Sequence, residues 1–253
     1  MFLTALLVTI APAVTPMTDA KTVRQQFVEL AGKQDRAACL ALWRANPSAV
    51  LGTIDADLEG SLKVREKSAY PDLRKITEML DRAMWGAEIA AEAGGHPMIL
   101  DYASSFVGWN DAERKQFRAG QAAFGRAQKA LDAKAADQAL AAGNECLQLA
   151  RPLGDWWGTA MGFDAIAAAQ AALGAHDKAL EAASVARTIY HDLGLQGDEY
   201  IALQTMTTMC QKLGRTARAK VACDAALVLA KKFKDDDGQK RLEQTRVELD
   251  AVK

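Results

Sequence analysis

Apolar residues recur along this chain at helical spacing, in blocks of similar length. In 158–172, Met161, Phe163, Ile166 and Ala167 fall on one side of a helix, and Leu173-Gly174 ends it. Asp177 then precedes a second block, Lys178 to Leu193. The same order follows as Asp198 to Lys212, Leu213-Gly214, and Thr216 to Phe233. The joints repeat as well: LGDWWG at 153–158, LGLQGD at 193–198 and FKDDDG at 233–238 stand 40 residues apart. At this spacing Asp137 aligns with Asp177, Leu140 with Leu180, and Ala139, Ala179 and Ala219 coincide. A fixed period of this size marks stacked supersecondary units. Each unit reads as two antiparallel helices, and the small residues at 139, 179 and 219 lie where the two approach most closely. The joints supply aspartate and glycine for the turn and for the N-cap of the next helix.

Upstream of residue 111 the pattern is helical without a clear repeat. It predicts helices over Asp19–Ala31, Arg36–Ala45, Pro47–Lys67, Asp72–Ala93 and Pro97–Val107. Gly94-Gly95-His96-Pro97 is a break, and Asn110-Asp111 caps a helix running to Ala133. Gln239 to Val252 reads as a final polar helix with Leu242, Val247, Leu249 and Val252 on one side, which suits a cap on the last exposed face. Three regions follow: 1–18, 19–110 with divergent helical hairpins, and 111–253 with repeats and the capping helix.

Composition agrees with an all-α chain. Half the residues are apolar and only 6% aromatic, so alanine-rich helices can pack closely. Beyond Asp72 only Pro97 and Pro152 can interrupt a helix. The net charge of −1 supplies no basic excess, so a nucleic-acid partner is not expected. Phe2–Val14 is apolar but too short to span a bilayer. It reads either as a secretory signal, with Ala11-Pro12-Ala13 in the small-x-small form of a cleavage site, or as an apolar segment on the first helix pair. The first alternative places the protein in the periplasm or outside the cell. No other stretch reaches transmembrane length.

The residues show no catalytic constellation. Cys39, Cys146, Cys210 and Cys223 are scattered, and the three histidines form no zinc pattern with them. Cys210 and Cys223 sit about one helical turn apart along a predicted hairpin, beyond disulfide reach, and read as core thiols. Asp55, Asp57 and the run 235–237 read as helix ends and solvated surface. Ala93-Gly94-Gly95 lacks the lysine of a phosphate-binding loop. Neither metal nor cofactor is expected.

Residues 133–235 resemble the tetratricopeptide repeat family in its forty-residue bacterial form. The carrying residues are Phe163, Ile166, Ala167, Gly174, Ala179 and Ala186, then Leu203, Met206, Gly214, Ala219 and Ala226. Ala183 and Cys223 stand where the family usually has a large aromatic. WRANPSAVLGTIDADLEGSLKV, 43–64, looks like the lead-in of some bacterial relatives in which the repeats precede a CHAT protease domain. No CHAT segment stands here, so no protease is implied. The resemblance implies a right-handed α-α superhelix whose first helices line a concave face. The lining positions would be Gln121, Phe124 and Gln128 in one unit, and Met161, Asp164, Ala168 and Ala171 in the next. The third unit would add Ile201, Gln204, Thr208 and Gln211. This face lacks the basic clamp some members use for a C-terminal carboxylate. It suits a helix or extended peptide of another protein, which makes the chain a non-catalytic scaffold. Trp156 and Trp157 are added as partner-contact candidates, because tryptophan is enriched at binding hot spots. The alternative is a regulatory module holding a small ligand in the groove, near Ala168, Ala171 and Ala172.

Overall fold

The computed structural model describes residues 19–94 and 97–251. Among them the chain is all-helical, without a strand. The expected apolar segment 1–18, residues 95–96 of the expected break, and Val252 lie outside the described residues. The N-terminal helices are α1 (Ala20–Lys33), α2 (Arg36–Ala45), α3 (Val50–Glu66), α4 (Leu73–Gly94) and α5 (Met98–Gly108). The repeats follow as α6 (Asp111–Asp132), α7 (Ala136–Ala150), α8 (Trp156–Ala172), α9 (His176–Asp192), α10 (Gln196–Lys212) and α11 (Thr216–Phe233), closed by α12 (Asp236–Ala251). Short 3₁₀ turns cover Pro47–Ala49 and Arg151–Leu153. No helix among the described residues is long and apolar enough to cross a membrane.

From α6 onward consecutive helices pack on each other, as a helical solenoid requires. The backbone halves the forty-residue period. Lys134, Gly154, Gly174, Gly194, Gly214 and Lys234 all have positive φ, so a left-handed residue recurs every 20 residues. After each, the next N–H returns to a carbonyl five residues back: Asp155 to Ala150 at 3.3 Å, Ala175 to Gln170 at 2.9 Å, Leu195 to Tyr190 at 2.8 Å. This closure satisfies carbonyls that the helix end would otherwise leave open. Ala139, Ala179 and Ala219 are fully buried near the turns, as their period implied. α7 and α8 come still closer, because a Cβ on Gly162 would lie 3.1 Å from the Leu147 nitrogen.

The joints are not equivalent. Asp155 caps α8 by accepting the Gly158 N–H at 2.8 Å, and Asp235 accepts the Gly238 N–H at 2.9 Å. In the middle joint Leu195 holds the cap position, and Asp198 lies in the first turn of α10, where its charge meets the positive helix end. The aspartate cap therefore holds in two of the three joints. Trp156 and Trp157 belong to the first turn of α8, not to the linker ahead of it. A Cβ on Gly158 would run into the Asp155 carboxylate. Gly158→Ala is thus expected to displace the cap and cost about 1–2 kcal/mol, read as a lower urea midpoint.

The N-terminal helices form a bundle around Phe27, Trp43, Leu51, Ile54 and Leu58. Trp43 stacks on Phe27 at 4.9 Å, and its indole N–H donates to the Gly86 carbonyl at 3.1 Å. Asp57 is a correction to the sequence expectation: it is a core residue, not solvated surface, at 0% exposure. Its carboxylate is held by Arg24 of α1 at 2.7 Å and by Arg82 of α4 at 2.7 Å, so two guanidiniums replace the water it loses. One apolar cluster then crosses residue 110 into the repeats, through Phe106, Trp109, Phe117, Leu153, Ala160 and Leu193. Trp109 packs on Phe106 at 4.4 Å and Phe117 at 4.9 Å, and its N–H donates to the Leu153 carbonyl at 2.8 Å. All four cysteines are buried and unbridged, including Cys210 and Cys223.

Candidate functional site

α8 begins with Asp-Trp-Trp-Gly, and the cap fixes where both rings point. Trp156 turns toward the N-terminal bundle and donates its indole N–H to Asp101 of α5 at 2.5 Å. Trp157, one residue on, faces a cavity of about 300 Å³ where α3 and α5 meet α6, α7 and α8. Phe117, Phe124 and Met161 form apolar walls, and Tyr102, Asp55, Glu59 and Asp155 supply the polar groups.

Their hydrogen bonds divide the acids into two kinds. Glu59 is neutralised by Arg118 at 2.9 Å and receives the Gln121 amide at 2.7 Å. Arg118 also pairs with Glu66 at 2.8 Å, and its guanidinium lies 5.7 Å from the centre of the Phe117 ring. Asp55 accepts a hydrogen bond from the buried Tyr102 hydroxyl at 2.6 Å, and Asp155 accepts the α8 cap bond. No ion pair joins Asp55 or Asp155 to a cation among the described residues. Burial therefore pushes the Asp55 carboxyl up to about 6 although the Tyr102 bond opposes it. Burial pushes Asp155 up to about 7, with the charges of Asp55 and Glu59 adding to the rise against the Gly158 bond.

A carboxyl with a raised folded pKa binds its proton more tightly in the folded chain. The resulting stability is full below the unfolded value of 3.8 and is lost as pH rises through about 7 for Asp155. Asp155→Asn keeps a cap acceptor and removes the titration. Relative to the parent, the variant should gain stability between pH 5 and pH 8, on the order of a few kcal/mol. Paired urea melts check this, and a constant difference across that range would refute it.

Of the positions expected on the concave face, Phe124 and Met161 meet in this cavity with the joint residue Trp157. Gln121 lines its edge. Trp156 is partly buried against the core shared with the N-terminal bundle. Gln128 is half-buried on α6, as is Ala168 on α8. Asp164 is half-buried on α8, and its carboxyl is pushed up to about 6 by burial and then by the charge of Asp198. On α10, Gln204 is half-buried while Ile201, Thr208 and Gln211 are exposed. None of these eight, Trp156 included, lines the cavity. Neither do Ala168, Ala171 and Ala172, where the small-ligand alternative placed a pocket.

The sequence reading missed Asp55, Glu59, Tyr102 and Asp155. Asp55 in particular was expected as solvated surface, whereas it lines the cavity and binds Tyr102. Only Asp155 carried a local signal, since its place before two tryptophans and a glycine puts an acid beside apolar surface. A second cavity of about 550 Å³ opens between the N-terminal bundle and α9–α11, with Trp43, Val50, Ile99, Leu203 and Val228 in its walls and His191 and Glu199 among its polar groups. No protein-family model matches the chain, and no curated protein matches it.

Proposed function

We propose that the chain is a tetratricopeptide-type, right-handed superhelix acting as a non-catalytic scaffold that takes a peptide or helix of a partner protein. α6, α8 and α10 would form its concave wall. One observation carries this: Phe124, Met161 and Trp157, from neighbouring first helices, converge on one recess. Contacts of α8 with both α6 and α10 support a continuous wall. Apolar side chains of a partner segment would enter the recess, while half-buried polar residues such as Gln128 and Gln204 would bond its backbone or side chains. The recess suits recognition rather than turnover. Of its acids, Asp55 meets a phenol, Asp155 a backbone amide and Glu59 a guanidinium, and the thiol in its lining, Cys146, donates to the Gly158 carbonyl at 3.5 Å. Selection from a displayed random-peptide library against the full chain tests the proposal. Recovery of peptides sharing a motif, each binding saturably as a free peptide, is the expected result. Failure to enrich any sequence over repeated rounds would count against it.

The small-ligand alternative draws on the same recess, because about 300 Å³ also accommodates a compact organic molecule. Its place is then at the start of α8, beside Trp157, rather than near Ala168.

A further inference from the structure

The recess walls differ in kind from its floor. Trp157, Phe117, Phe124 and Met161 present aromatic and thioether surface, while Asp55 and Asp155 are acids in no ion pair among the described residues, although the charges of Lys63 and Arg118 reach Asp55. Asp155 is only 5% exposed, yet its side chain takes a single hydrogen bond, from Gly158 N–H to Oδ1. Its Oδ2 lies against Gly158, where a Cβ would run into it, and takes no hydrogen bond among the described residues. Arg118 does not fill that role, because it is engaged by Glu59 and Glu66 at the edge. Buried carboxylates are ordinarily paired, and an aromatic face attracts a cation through its quadrupole.

The geometry points to an alkylammonium-binding pocket: the recess beside Trp157 receives a primary ammonium group, with Asp55 and Asp155 as its counter-charges and the aromatic walls around its methylenes. This rests on the same wall being a recognition surface, and it specifies the chemistry recognised there. A metal ion does not fit, since among the described residues no three acid, histidine or cysteine side chains gather at ligating distances. A neutral apolar group fits less well, since it would leave the ionised Asp155 carboxylate with its cap bond but no counter-charge. The ammonium can belong to a lysine side chain of a partner peptide or to a free diamine, and both present the same group.

Around the two acids stand Glu59 and Lys63 on α3, Tyr102 on α5, Arg118 on α6 and Cys146 on α7. Burial pushes the Cys146 thiol up to about 11 and Tyr102 above its ordinary range, so both stay neutral at working pH. Asp55 and Asp155 are then the groups whose ionisation binding follows, and affinity should rise from pH 5 to pH 8 as they lose their protons.

Calorimetric titration of the full chain at pH 8 tests the pocket with three probes: 1,5-diaminopentane, Nα-acetyl-lysine methylamide, and 1-pentanol as the neutral counterpart. Saturable binding of at least one ammonium probe, with 1-pentanol weaker by about tenfold or more, is expected. The tighter of the two ammonium probes identifies the source. Asp55→Asn and Asp155→Asn, checked for folding by circular dichroism, should each weaken that probe about tenfold. Trp157→Leu should weaken it by several-fold. Absence of ammonium binding, equal binding of 1-pentanol, or unchanged affinity in both folded aspartate variants would overturn the pocket. The comparison needs no variant if these fail to fold, since ammonium against alcohol on the parent chain already decides. Library-selected peptides separate this inference from the scaffold. Peptides that bind equally well with every lysine replaced by norleucine would overturn the ammonium pocket and leave the scaffold. Diaminopentane binding without any peptide binder would support the pocket and remove the scaffold.

Discussion

Trp109→Ala is expected to lower the stability of the whole chain by about 4 kcal/mol, the largest single effect foreseen. Trp109 is 3% exposed and packs against Phe106 and Phe117, on the helices either side of it. Truncation leaves a void the size of an indole, which helices anchored on both sides can close only in part. It also strands the Leu153 carbonyl, whose N–H partner is lost. The position of the loss matters as much as its size, because Trp109 sits at the junction of the N-terminal bundle and the repeats. Limited proteolysis should therefore show faster cutting around 108–111 in the variant. Trp109→Phe should recover most of the packing but not the hydrogen bond, which places it about 1–2 kcal/mol below the parent. A variant as resistant and as stable as the parent would show that the two parts do not depend on this contact.

The second large effect belongs to Asp57. Asp57→Ala is expected to cost about 3 kcal/mol, the lower end for breaking a buried ion pair. Arg24 and Arg82 would lose their shared acceptor, but both guanidiniums reach solvent at 32% and 24% side-chain exposure and recover part of their hydration. For a chain of this length the cost corresponds to a drop in Tm of roughly 6–12 °C. Since the penalty arises from stranded charges, a chain with Asp57→Leu, Arg24→Met and Arg82→Met together should lose much less than Asp57→Ala alone. Melts of the three proteins, parent, single and triple variant, separate the two explanations. If the triple variant melts as low as the single one, packing rather than charge pairing governs this site.

The repeats were largely legible in the sequence because local rules set them. Gly174 and Gly214 mark turns by their own backbone freedom, and α11 follows the expected limits, Thr216 to Phe233. Lys134 and Lys234 adopt the same left-handed conformation without a glycine, so the twenty-residue pitch shows in the backbone and not in the residue types. The site was much less legible. Asp57 is buried by arginines 33 residues upstream and 25 downstream, and nothing in its neighbours announces that. Asp55 meets Tyr102 across 47 residues. Trp156 carries hot-spot chemistry by type, yet it is engaged by Asp101 within the chain, which only the tertiary packing decides. Periodicity reports which face of a helix is buried; it does not report which other element covers it.

Phe124 and Met161 are consequently better probes of the proposed partner surface than Trp156, because they line the recess without bonding the N-terminal bundle. The most direct measurement is the affinity of one library-selected peptide for the parent chain and for Phe124→Glu and Met161→Glu, by fluorescence anisotropy, with folding confirmed by melts. Each variant is expected to stay folded and to lose at least about tenfold in affinity, as for truncation of a central hot spot. Unchanged affinity in both folded variants would place recognition elsewhere on the molecule and contradict the proposed wall of α6, α8 and α10 as its binding surface.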